Sequence, residues 1–159
     1  MSASAWPPPF EVGAVVLEED THLVSSAPSA LSLEDAPSPL RVLTAAKDTE
    51  PLERGAVVVR RGAPHRLLAV VHDFDAQPTC ERAAARAALE RALEVATSLG
   101  VRGLALPLLG AAHGGLSLDA ACEVVTGALE ARAGALVHVW LVVDEARQPA
   151  VARWFAGRR

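Results

Sequence analysis

The chain contains no asparagine, isoleucine or tyrosine, and its only lysine is Lys47. Any chemistry that needs a carboxamide side chain must therefore use Gln77 or Gln148. Fourteen of the 15 basic residues are arginine, and they form no long basic run within a chain of formal net charge −4. Because binding to a nucleic-acid backbone depends on clustered positive charge, we do not expect a nucleic-acid partner.

Long apolar runs are also missing. No stretch approaches the roughly 18 residues that a membrane span requires, and the N-terminal segment MSASAWPPPF lacks the basic and apolar regions of an export signal. The two cysteines, Cys80 and Cys122, lack metal-ligand spacing, and we expect both to be buried. These features favour a cytoplasmic protein, with no metal site, cofactor or membrane partner predicted.

The length and composition are typical of one globular domain. The chain has 159 residues, of which 51% are hydrophobic, enough for a sizeable core. Residues 1–9 are rich in Ser, Ala and Pro and are predicted to be an irregular leader. Residues 10–159 are predicted to form the single domain.

Apolar periodicity predicts alternating strands and helices. The predicted strands are Glu11–Leu17, Leu23–Val24, Gly55–Arg60, Arg66–Val71, Val101–Leu106 and Ala135–Val143, with an acidic turn at Glu18–Asp20 and a hairpin through Arg61–Pro64. The predicted helices are Leu40–Ala46, Thr79–Leu99, Ser117–Arg132 and Ala146–Phe155. This alternation predicts an α/β fold of three layers, α/β/α, around a central mixed, largely parallel sheet.

The most informative stretch is LALPLLGAAHGGL, Leu104 to Leu116, where an apolar strand ends in a glycine-bearing loop before a helix. Free backbone N–H groups and the helix dipole make such a junction a common anion site. The predicted phosphate-binding residues are Gly110, Ala111, Ala112, His113, Gly114 and Gly115. A tight structural turn without a ligand is the alternative.

The passage LALPLLGAAHGGLSLDAA resembles the strand, diphosphate loop and alanine-rich helix of the macro domain. RLLAVVH and AALERALEVATSLGVRGLALP are similar to other family segments in the same order, so the resemblance covers roughly residues 10–156. It implies the α/β/α fold above. It also implies binding of ADP-ribose, which some members of the family remove from proteins.

Several positions depart from the family pattern. Aligned without gaps, the adenine-binding Asp becomes Ala14, and the two Asn positions become Ser25 and Pro28. In another register Glu18, Glu19 or Asp20 lies towards the adenine pocket. The aromatic after the last strand is replaced by Val143 or Asp144, so the ligand's distal and adenine region is assigned to Ala14, Ser25, Ser26, Val143 and Asp144. The resemblance therefore implies weakened ADP-ribose binding and argues against hydrolysis by the Asn cluster.

Four residues form a second candidate site. His72, Asp73 and Asp75 follow one predicted strand and His113 follows another, and parallel strands deliver such residues to one edge of the sheet. Two imidazoles and two carboxylates suit acid–base catalysis or a divalent metal. The alternative is that His72 packs at the strand end while the two aspartates accept hydrogen bonds in a turn or helix cap.

Three hypotheses follow. The first is a macro-like domain that binds ADP-ribose or a related nucleotide through residues 110–115, without a requirement for catalysis. The second is a degenerate macro fold that serves as a protein-interaction or structural module, with a crevice filled by side chains such as Leu109 and His113. The third is a hydrolase that uses His72, Asp73, Asp75 or His113.

Overall fold

The computed structural model describes residues 8, 10–23, 50–73, 75–76, 79–112, 115–132, 134 and 136–157. The strands are β1 (Ala14–Asp20), β2 (Val57–Arg60), β3 (His65–His72), β4 (Gly103–Pro107) and β5 (His138–Val142). The helices are α1 (Arg82–Ser98), α2 (Leu118–Arg132) and α3 (Gln148–Ala156). The predicted strand at Leu23–Val24 and the predicted helix at Leu40–Ala46 fall wholly or partly outside the described residues.

The five strands form one mixed sheet in the order β2-β3-β1-β4-β5. Strand β1 is parallel to β3 and β4, β4 is parallel to β5, and the edge strand β2 is antiparallel to β3. The predicted hairpin of β2 and β3 is thereby confirmed. The predicted α/β class with a central, largely parallel sheet is confirmed as well.

Both faces of the sheet are covered at the central strand β3. Alternate residues of a strand point to opposite faces, and along β3 the five residues from Leu67 to Val71 are all at most 2% exposed. One face packs against α1, whose buried stripe recurs at helical spacing and consists of Ala85, Ala88, Leu89, Ala92, Leu93 and Ala96. This periodicity is the feature from which the helix was predicted.

Strand β1 is longer at its carboxyl end than predicted. Glu18 pairs with Ala69, Glu19 with Val70 and Asp20 with His72, so the predicted acidic turn at Glu18–Asp20 is wrong. Three consecutive acids are unfavourable in an exposed strand. Here Glu19 and Asp20 are buried, and the carboxylate of Glu18 has hydrogen-bond donors from two other parts of the fold.

No helix in the described part of the chain is long and apolar enough to cross a membrane.

Candidate functional site

The candidate site lies at the carboxyl edge of the parallel strands. Because β1, β3, β4 and β5 run in the same direction, the residues that follow each of them meet at one edge of the sheet. This edge contains the ends of β1 and β3, the loop after β4, and residues 143–147 after β5. The sheet topology thus brings together most of the residues that the sequence pointed to.

The loop after β4 turns at two glycines with positive φ angles. Gly110 and Gly115 have φ angles of +77° and +76°, a region that other residues rarely adopt. A Cβ at Gly110 would lie 2.7 Å from Leu116 Cδ1 and 2.8 Å from Cys80 Sγ, whereas Gly115 has open space around it. Gly110 is therefore required by packing, and Gly115 adjoins free space at the helix entrance. His113 and Gly114 lie outside the described residues.

Helix α2 begins directly after this loop. The Ser117 hydroxyl accepts a hydrogen bond from the Ala120 N–H at 3.2 Å, and the Ser117 carbonyl accepts one from the Ala121 N–H at 3.0 Å. Ser117 is therefore the N-cap. The N–H groups of a helix's first turn have no carbonyl partner within the helix, so this end offers donors and a partial positive charge beside the loop. Asp119, in the first turn, offsets part of that charge.

Arg147 adds a cation to the loop. Its Nη1 donates to the Ala111 carbonyl at 3.1 Å, and its Nε lies 3.2 Å from Asp144 Oδ2. Asp144 also accepts the Arg147 backbone N–H at 3.0 Å, and the neighbouring Val143 is buried. Arg147 therefore connects Asp144 to the candidate anion loop. Sequence reasoning did not identify Arg147, whose only signal was its place in the first turn of the predicted helix Ala146–Phe155.

Glu18, which the strand pattern placed in a turn and only the other register placed near the pocket, lies in β1 at this edge. Its Oε1 accepts a hydrogen bond from the Gly110 N–H at 2.8 Å, and its Oε2 accepts one from His72 Nε2 at 2.9 Å. The side chains of Glu18 and His72 are 10% and 3% exposed. One carboxylate therefore links β1, β3 and the loop after β4, and the first amide of the candidate phosphate loop already has an acceptor.

Cys80 lies beside this pair. Burial and then the Glu18 carboxylate raise the pKa of the Cys80 thiol from 9.0 to about 11, while Arg54 acts in the opposite direction. The thiolate is the nucleophilic form of cysteine, and at neutral pH this thiol is protonated. Cys80 therefore behaves as a buried packing residue, as the sequence predicted.

The structure describes three residues of the second predicted cluster, His72, Asp73 and Asp75, whereas His113 lies outside the described residues. His72 is occupied with Glu18, whereas Asp73 Oδ1 accepts the Asp75 N–H at 3.0 Å, the turn contact that the alternative interpretation predicts. Asp73 and Asp75 line a cleft of about 260 Å³ together with Thr21, His22, Pro51, Leu52 and Arg54. Among the residues that the structure describes, no three His, Cys, Asp or Glu side chains converge as a metal site.

The remaining predicted ligand residues lie apart from the loop or are not described. Ala14 begins β1 and pairs with the first residue of β3 and with Leu104 in β4, so it lies at the opposite end of the strand from the carboxyl edge. Ser25 and Ser26 are outside the described residues. Glu18, Glu19 and Asp20, the residues of the other register, do lie at this edge. Leu109 is fully buried in the core.

Comparison with known proteins places this geometry in context. No family model matches the chain, and no curated protein matches it by sequence. Among solved structures, the Thermus aquaticus DarG macrodomain is 25% identical with a TM-score of 0.59, covering 85% of this chain and 91% of that one. The Trypanosoma brucei macrodomain in complex with ADP-ribose is 17% identical with a TM-score of 0.64, covering 92% of this chain and 64% of that one. A variant of the Oceanobacillus iheyensis macrodomain is 13% identical with a TM-score of 0.67, covering 94% and 88%.

Proposed function

From the premise that this chain has the macro-domain fold, we propose that it binds a phosphate-containing small molecule, ADP-ribose or a related nucleotide, at the loop between β4 and α2. The observation that carries the proposal is the position of Arg147, whose guanidinium contacts Ala111 of this loop. The loop thus combines the guanidinium of Arg147, which also pairs with Asp144, with a glycine of positive φ and the capped start of a helix. Structures of the Trypanosoma brucei macrodomain with ADP-ribose and with ADP supply the ligand class.

The contacts of the second cluster make a hydrolase less favoured than a binding module. His72 is 2% exposed and hydrogen-bonded to Glu18, so its imidazole is not open to a substrate. Asp73 holds its own turn. A general acid or base must lie within hydrogen-bond reach of the group it protonates or deprotonates, and the burial of His72 and its bond to Glu18 argue against that role.

Calorimetric titration with ADP-ribose tests the proposal, and Ala112→Glu is the variant of choice. Ala112 is exposed within the loop, so a carboxylate there adds a negative charge beside the phosphates without disturbing the core. At about 7 Å and an effective dielectric between 20 and 80, one like charge weakens binding by about threefold to fiftyfold. Ala112→Gln separates the effect of side-chain size from that of charge.

Ala131→Glu is the matched control. It makes the same substitution at an exposed position near the far end of α2, about 20 Å from the helix start. We expect it to bind ADP-ribose as the unmodified protein does. Arg147→Gln, which removes the cation on the loop, should weaken binding about tenfold. Equal weakening by Ala112→Glu and Ala131→Glu would refute the location of the site.

A titration without heat at millimolar ADP-ribose, together with no shift in melting temperature, would refute nucleotide binding itself. The module hypothesis, in which the fold is kept for a protein partner, would then replace it.

A further inference from the structure

The hairpin of β2 and β3 ends in a surface of hydrogen-bond donors. Arg60 in β2 lies directly opposite Arg66 in β3, and Arg61 follows β2 directly. All three arginines are exposed. His65 Nδ1 accepts the Gly62 N–H at 3.2 Å, so Nε2 is the nitrogen that carries the hydrogen in the neutral imidazole. Guanidinium groups and a donating imidazole nitrogen favour partners that bear negatively charged acceptors.

The two opposed arginines do not stabilise each other. Directly opposite residues of an antiparallel pair have Cβ atoms about 5 Å apart, and like charges in that arrangement are destabilising. Among the described residues, other arginines form ion pairs with acidic side chains, but Arg60, Arg61 and Arg66 do not. The hairpin therefore concentrates uncompensated positive charge within a chain of formal net charge −4.

The backbone beside these arginines can accept a further strand. Strand β2 lies at the edge of the sheet and, in the part of the chain that the structure describes, pairs with β3 alone. An edge strand presents a row of backbone N–H and C=O groups to which another extended segment can bind. Val59 on this strand is 37% exposed, so an apolar contact is available as well.

We propose that the edge of β2 is a docking site for an extended acidic segment of another protein, which adds to the sheet as a further strand. Backbone hydrogen bonds to β2 hold the segment, and its carboxylates pair with Arg60 and Arg61. Since neighbouring strands lie about 4.8 Å apart, the added strand lies about 10 Å from β3, a gap that the side chains of Arg66 and a glutamate span together.

The charge of the edge favours this partner over a second copy of the chain, because a second copy brings its own arginines to the same edge. The site also lies apart from the candidate phosphate loop. The turn of the hairpin is at the amino end of β3, whereas the loop after β4 is at the carboxyl edge of the parallel strands. The inference therefore does not depend on the proposed function.

Fluorescence anisotropy with a labelled ten-residue peptide of alternating valine and glutamate tests the inference. We expect saturable binding that weakens as the salt concentration rises, because the charge pairs are exposed. The same peptide with lysine in place of glutamate should not bind. The acidic peptide with every backbone nitrogen methylated keeps its charges but has no N–H donor, and it should bind at least about tenfold more weakly.

Arg60→Gln/Arg66→Gln is the variant of choice, and Arg91→Gln/Arg153→Gln, which removes two exposed arginines from α1 and α3, is the matched control. We expect the first variant to bind the acidic peptide about tenfold more weakly, and the control to bind it as the unmodified protein does. The first variant should also unfold at no lower urea concentration than the unmodified protein, because the opposed like charges are destabilising.

Equal weakening in the two variants, or equal binding of the methylated peptide, overturns the inference. Tighter binding of a single-stranded oligodeoxynucleotide than of the acidic peptide overturns it in favour of a phosphate backbone as partner. Absence of peptide binding also overturns it, and the arginines then serve to keep the edge strand from pairing with other chains. None of these outcomes bears on the titration with ADP-ribose.

Discussion

Replacement of Glu18 by alanine should destabilise the fold far more than loss of an ordinary ion pair. In Glu18→Ala the Gly110 N–H and His72 Nε2 both lose their acceptor, and both lie in the interior. A buried donor without an acceptor costs about 1–3 kcal/mol, and breaking one partner of a buried pair typically costs about 3–5 kcal/mol. We expect a loss of about 3 kcal/mol in the free energy of unfolding, a large part of the roughly 5–15 kcal/mol of a typical domain.

Urea denaturation followed by circular dichroism measures this loss, and Glu90→Ala is the comparison. Glu90 pairs with Arg86 one turn away on α1 at 2.7 Å, with side chains 26% and 51% exposed. Such surface pairs contribute about 0–1 kcal/mol. If the two variants lose the same free energy of unfolding to within about 1 kcal/mol, the hydrogen bonds of Glu18 to His72 and Gly110 do not stabilise the fold by the expected amount.

Two further predictions concern stability. A Cβ at Gly103 would lie 2.1 Å from the Glu11 carbonyl oxygen, so Gly103→Ala must shift the backbone and should lower the free energy of unfolding by about 2–4 kcal/mol. A Cβ at Gly13 would meet only side-chain atoms of Val101 at 3.4 Å or more, so Gly13→Ala should change that free energy by under about 1 kcal/mol in the same denaturation assay. Because burial and Glu18 raise the pKa of Cys80 from 9.0 to about 11, the folded chain keeps this thiol protonated after the unfolded chain has lost the proton. The contribution of the protonated thiol to stability is full below about pH 9 and is lost as the pH rises to about 11. Cys80→Ala should therefore show a smaller fall in the free energy of unfolding between about pH 9 and about pH 11. An equally steep fall in the variant would contradict the raised pKa of Cys80.

Local patterns predicted those elements whose signal lies within one segment. Helix α1 follows from apolar residues at helical spacing ended by Gly100, and β2 and β3 follow from two apolar runs around a short turn. The loop after β4 was found from its glycines between an apolar strand and a helix pattern, and two of these glycines, Gly110 and Gly115, have positive φ angles. The predicted role of this loop in phosphate binding stays a prediction.

The candidate site contains two residues whose positions the sequence did not reveal. Glu18 was predicted in a turn because the acidic residues lie between two apolar runs, yet its carboxylate accepts hydrogen bonds from His72, 54 positions away, and from Gly110, 92 positions away. Arg147 contacts Ala111 across 36 positions. None of these three contacts leaves a periodic or local trace.

The sequence by itself determined the class of the fold, the most regular helices and the glycine-bearing loop, because backbone conformation and apolar patterning are local properties. Only the tertiary structure decided which side chains reach that loop. The strand order β2-β3-β1-β4-β5 sets Glu18 between His72 on one side and the loop after β4 on the other, and it brings the residues that follow β5 to the same edge. Hydrogen bonds between such distant segments depend on strand order and register, which no single segment specifies.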